Sequence, residues 1–141
     1  GAQIVELAVP ALDRSDVYFK GGGFAGAEAA AIHRPWADRV AEYDPRVGKR
    51  IALGNQMGGA DYVELGLIRA AFIREMEALL APYDALLMPT APCIAPTIAE
   101  VDASDDAYFR WNLRALRNCG LMNFLDACAV SLPCQPAGEA P

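Results

Sequence analysis

Nucleophilic catalysis needs a hydroxyl or thiol within hydrogen-bond reach of a base, and the base in turn needs a third group to orient it. The serines are Ser15, Ser104 and Ser131, the lysines are Lys20 and Lys49, and the only imidazole is His33. His33 has Glu28 and Asp38 as sequence neighbours that could orient it, but no serine or cysteine stands near it. Ser104 precedes Asp105 and Asp106 and reads as a helix cap, while Ser131 lies in the apolar run AVSL. A G-x-S-x-G elbow, which would lift a serine onto a strained strand-to-helix turn, is absent. These residues do not assemble a self-contained hydrolase centre, so no catalytic residue is assigned.

Other chemistries fare no better on spacing. The four cysteines, Cys93, Cys119, Cys128 and Cys134, include no C-x-x-C pair, and with a single histidine they make a zinc site unexpected. GGGFAG over 21–26 satisfies G-x-G-x-x-G, yet a dinucleotide site needs a strand directly before it and an acidic residue some way downstream. DVYFK is a poor strand, so a flexible glycine loop is the better reading. EVDASDD over 100–106 alternates carboxylates as a calcium loop does, but Ala107 and Leu113 stand where such a loop needs glycine and glutamate. Carboxylates at a helix start explain it. Arg114 and Arg117 beside Asn118 could grip a carboxylate through the guanidinium fork, the alternative being an ordinary exposed helix face.

The elements that would carry these groups follow from periodicity. IVELAVP over 4–10 reads as a strand closed by Pro10, and FAGAEAAAIHR as a helix rich in alanine. Pro35 fits the first turn of a following helix, and Asp44-Pro45 opens a further one with Gly54 placed at its end. Leu65, Ile68, Phe72, Met76 and Leu79 repeat at helical spacing behind Asp61, so a long helix runs from there to about Leu80. ALLM then reads as a short strand covered on both faces, stopped by PTAPCIAP with its cluster of prolines. A helix from Ser104 and a last strand AVSL, ended by Pro133, complete the order. Strands alternating with helices predict an α/β fold, helix-rich with about three short strands.

Composition sets the bounds. With 54% hydrophobic and 21% charged residues over 141 positions, the chain is globular and long enough to bury a core. A net charge of −6 offers no basic footprint for nucleic acid or anionic lipid. No apolar run approaches a bilayer span, and GAQIVELAVP, interrupted by Glu6, lacks the basic leader of a signal peptide. A cytoplasmic protein with reduced thiols is expected. The chain opens on Gly1 within a strand-like run and stops at Pro141 without a capping element, which reads as a piece of a longer protein cut at both ends.

Taken in order, EAAAIH, YDPRVGKRI, ADYVELGLIRAAFIREMEALLAPYDALLMPTAP and RNCGLMNFLDACAVSLPC resemble the C-terminal third of an amidase signature enzyme, over nearly the whole chain. The resemblance implies a partial domain over 1–141, part of an α/β/α fold whose mixed central sheet is flanked by helices. It implies hydrolysis of a small carboxylic amide to acid and ammonia. It also implies a serine nucleophile activated through a second serine in a cis peptide and a lysine, all lying outside this chain. The chain alone is therefore expected to be inactive, to need no cofactor or metal, and to work with the upstream part of the same amidase, with a homodimer of the complete enzyme as a further expectation. The proline loop and the following helix would wall the acyl pocket, with Thr90, Cys93, Arg117, Asn118 and Cys119 as substrate-binding residues. Glutamyl-tRNA amidotransferase A subunits are related, but Leu116 stands where they tend to carry an acidic residue. That leaves the amidotransferase subunit, and a non-catalytic binding domain, as alternatives.

Overall fold

Side-chain caps fix where three of the helices begin. The structure, a computed structural model, describes residues 1–139. Six α-helices are present among them: α1 (Ser15–Tyr18), α2 (Gly23–His33), α3 (Pro45–Gly54), α4 (Gly59–Leu80), α5 (Ile98–Asp102) and α6 (Asp105–Leu125). Tighter 3-10 turns fill Pro10–Arg14, Lys20–Gly22 and Arg34–Glu42. The carboxylate of Asp44 accepts from the backbone N–H groups of Arg46 and Val47 and starts α3, with Pro45 in the first turn where no donor is needed. Ser104 does the same for α6, its Oγ accepting from Ala107 N at 3.0 Å. Thr97 and Glu100 form a reciprocal capping box on α5.

The predicted helical stripe on α4 is the centre of the core. Leu65, Phe72 and Met76 are buried, and Tyr18, Leu121, Phe124 and Leu125 pack on them from α1 and α6. Tyr18 stacks on Phe124 with ring centroids 4.7 Å apart and still satisfies its hydroxyl by donating to the Ala11 carbonyl at 2.9 Å. α2 and α3 lie against each other so closely that Gly54 has no room for a side chain. A Cβ there would sit 1.9 Å from the Gly26 carbonyl oxygen. Gly54 is thus the last residue of α3, kept for close approach rather than for a left-handed cap.

The expected mixed sheet is not there. Among the described residues no strand and no ladder occurs, so the chain is helix-rich but not α/β. Residues 1–9, 84–89 and 127–134 cover the three predicted strands except Pro10, which opens a 3-10 turn, and lie outside any helix or ladder; Val9 and Leu86 pack against the core, while other predicted β-formers are exposed. Ile4, Leu87, Val130 and Leu132 are each at least 77% exposed. The reason is physical: helix hydrogen bonds close within a segment, whereas a strand exists only when a neighbour pairs with it. The apolar runs suggested strands, but periodicity cannot say whether a pairing neighbour stands beside them, and here they form none.

Candidate functional site

The proline loop does not hang free; α6 holds it. Asn118 Nδ2 donates to the Pro89 carbonyl at 2.8 Å, and Cys119 Sγ lies 3.5 Å from the Thr90 carbonyl. Thr90 Oγ1 in turn lies 2.9 Å from Ser131 Oγ, linking the loop to the extended stretch after α6. Prolines remove backbone donors and fix φ, so the loop carries few self-contacts and takes its position from these three side chains. Three of the five predicted binding residues, Thr90, Asn118 and Cys119, therefore meet at one place. Cys93 is half-buried further along the loop. Arg117 is exposed on α6 and among the described residues makes no ion pair. Arg114 instead lies over the Trp111 ring, 5.5 Å from its centroid, which is a cation–π contact on an exposed face.

One turn along α6 a second feature begins that the sequence did not announce. Gly120, Asn123 and Phe124 form one wall of a cleft of about 510 Å³ whose other walls come from Phe19, Phe24 and Tyr62. The rings meet in tilted and edge-on pairs, Phe24 against Tyr62 at 5.2 Å and against Phe124 at 6.0 Å. A Cβ on Gly120 would sit tightly, 3.2 Å from the end of the Phe19 ring. Tyr62 donates its hydroxyl to Glu28 at 3.1 Å, and that bond to a carboxylate raises its pKa above the ordinary phenol value. Arg69 closes the base of the cleft by donating to the Phe124 carbonyl at 2.9 Å and pairing with Asp126 at 3.3 Å. Asp126 caps α6 with φ +65°, so the guanidinium also meets the negative end of the helix. The signal for this cleft was the aromatic clustering in VYFKGGGF, where the glycines drew the attention instead.

The other singled-out groups turn out to be structural. His33 Nδ1 lies 2.7 Å from the Tyr43 hydroxyl, and its ring meets Trp36 edge-on, so neither Glu28 nor Asp38 orients it. Asp102 and Asp105 of the acidic run pair with Arg46, and Asp105 also with Lys49, which joins α3 to the start of α6. Among the described residues no group of His, Cys, Asp and Glu is arranged to hold a metal ion, and no helix is long and apolar enough to cross a membrane. GGGFAG follows a helical turn rather than a strand, and Gly21, Gly22 and Gly23 all adopt positive φ. That backbone reverses direction into α2 and leaves no strand-borne phosphate loop. The Thr90 and Ser131 hydroxyls lie against each other, while Lys49 is engaged by Asp105 and His33 by Tyr43.

The family model described as Amidase matches residues 1–140, and the chain belongs to that family. Among curated proteins, 2-amino-5-chloromuconic acid deaminase of Comamonas testosteroni is 28% identical over 134 residues, covering 94% of this chain. The chain spans 29% of the length of that relative. No solved structure matches.

Proposed function

We propose that this chain is the C-terminal part of an amidase that hydrolyses a small carboxylic amide to the acid and ammonia, and that it supplies scaffold and pocket wall to a catalytic centre carried by another segment of the same protein. The observation that carries the reading is the clamp of the proline loop onto α6 by Asn118 and Cys119, beside an aromatic cleft, in a chain of the amidase family. Holding the acyl group against rigid walls lets the amide carbon meet the nucleophile without further ordering, and such positioning is worth several kcal/mol of barrier. The relative's printed substrate is a carboxylic acid, which favours an amide or enamine that also bears a carboxylate. Arg117, exposed on the helix that clamps the loop, is the side chain assigned to grip it.

The test is ammonia release by the full-length protein from paired small amides with and without a second carboxylate. The reading expects release from both and preference for the acidic one, with Arg117→Ala removing the preference and Asn118→Ala raising KM more than it lowers kcat. Absence of ammonia release from every amide tried would sink the amidase assignment. Unchanged turnover of acidic amides in Arg117→Ala would sink only the role of Arg117.

A further inference from the structure

Among the described residues Asp126 is the one position other than glycine with positive φ, at φ 65° and ψ 31°. That left-handed backbone costs an L-residue free energy, aspartate less than most. It ends α6: the Asp126 N–H donates to the Asn123 carbonyl and the Ala127 N–H to the Met122 carbonyl. The residues that follow, Ala127, Cys128 and Ala129, include two of the strongest helix formers, so nothing in them stops the helix. The turn is held from α4 instead. Arg69 Nε donates to the Phe124 carbonyl at 2.9 Å, and its Nη2 meets Asp126 Oδ1 at 3.3 Å. One guanidinium thus fastens the last turn of α6 and the reversal after it together, a task for a planar fork rather than an ammonium.

We propose that Arg69 is a positioning residue: by holding Asp126 in the left-handed turn, it brings the stretch after α6 back to the proline loop and sets Ser131 against Thr90. The inference rests on the amidase reading, in which Thr90, Asn118 and Cys119 wall the acyl pocket. Geometry shows why the turn matters. Thr90 touches Cys119 of α6 through its carbonyl and Ser131 through its hydroxyl. Had α6 continued as helix through Ser131, that residue would lie about 18 Å beyond Cys119 along the axis, out of reach of any one side chain. Ser131 meets Thr90 only because the chain reverses at Asp126 and runs back beside the helix. The loop is thereby held on two sides. Asn118 and Cys119 hold the Pro89 and Thr90 carbonyls, and Ser131 holds the Thr90 hydroxyl. Loss of Arg69 releases the second side and leaves the first.

Two measurements on the full-length protein test this. The first is a proximity cross-link between Thr90→Cys and Ser131→Cys, which replace hydroxyls 2.9 Å apart, with Cys119→Ser removing the nearest competing thiol. Under mild oxidation the disulfide, located by peptide mass mapping, should form readily with Arg69 present. Adding Arg69→Ala should slow it about tenfold, since the two thiols are no longer held together. Adding Asp126→Gly as well should recover most of the rate, because glycine takes positive φ freely. The second is amide turnover in protein with its native cysteines. Arg69→Ala should raise KM about tenfold with kcat little changed, and Asp126→Gly in that background should bring KM back. Arg69→Lys should recover less, lacking the fork. A merely structural role would instead reduce the folded fraction, lowering apparent kcat and leaving KM alone. A cross-link rate or a KM indifferent to Arg69→Ala would overturn the proposal, and failure of Asp126→Gly to rescue would overturn the role of the turn. If no amide is turned over, the amidase reading falls, and the cross-link alone decides whether Arg69 sets the turn.

Discussion

Gly54 and Gly66 both sit in helices, yet their surroundings set opposite expectations. A Cβ on Gly54 would lie 1.9 Å from the Gly26 carbonyl oxygen, a backbone atom that cannot step aside without moving α2. Gly54→Ala is therefore expected to cost about 3 kcal/mol or more, in the range of severe overpacking, or to prevent α2 and α3 from docking. Around Gly66 nothing lies within 4 Å of the added atom. In the middle of α4 the alanine gains helix propensity without a clash, so Gly66→Ala should stabilise by about 0.5–1 kcal/mol. Urea denaturation of the two variants reads both signs in one experiment. If Gly54→Ala were as stable as wild type, the close crossing of α2 and α3 would be wrong. The same two glycines mark what single-residue reasoning misses: sequence placed Gly54 at a helix end, which is right, but the reason it must be glycine is an atom twenty-eight positions earlier in the chain.

At the scale of elements, the start of α6 concentrates the electrostatics. Ser104 caps it, and Asp105 lies between Lys49 and Arg46 of α3. Ser104→Ala should cost about 1 kcal/mol, measured as a shift of the urea midpoint with an unchanged slope. Hydrogen bonds from Lys49 and then Arg46 hold the Asp105 carboxyl below its ordinary range. A carboxylate whose folded pKa is depressed stabilises at pH values above its unfolded pKa, and this contribution is lost as pH falls through the folded value. The fold should accordingly weaken in acid below the ordinary carboxylate range, and Asp105→Asn should flatten that part of the profile. High salt should do the same in part, because the group is exposed. A profile of Asp105→Asn parallel to wild type in acid would show that the bridge contributes nothing there. These helix starts were legible because capping is local: Asp44, Ser104 and the stripe through Phe72 announce themselves within a few residues. The clamp on the proline loop was legible in part, since Thr90, Asn118 and Cys119 were singled out, but the aromatic cleft was not. Its walls come from three helices, and no periodicity links Phe19 to Tyr62.

For the molecule as a whole, the exposed extended stretches decide how the polypeptide behaves by itself. Leu87, Val130 and Leu132 are 86%, 84% and 77% exposed, on backbone that lies in no ladder. Unpaired N–H and C=O groups flanked by apolar side chains are a template for other chains, and natural sheets guard such edges with charge or closure. Here the guard is missing from 85–88 and from 129–132, where no charged residue stands. If another segment of the protein covers these stretches, their apolar side chains are buried in the whole protein. If none does, they are an aggregation liability. The 141-residue polypeptide expressed alone should then scatter light on warming and bind a hydrophobic dye in its folded state. Replacing Leu87, Val130 and Leu132 together by threonine should reduce both signals while leaving the helical circular dichroism unchanged, since none of the three belongs to a helix. A sharp, reversible melt of a monomer with no dye uptake would mean that these stretches need no neighbour, and the case for a covering segment would go with it.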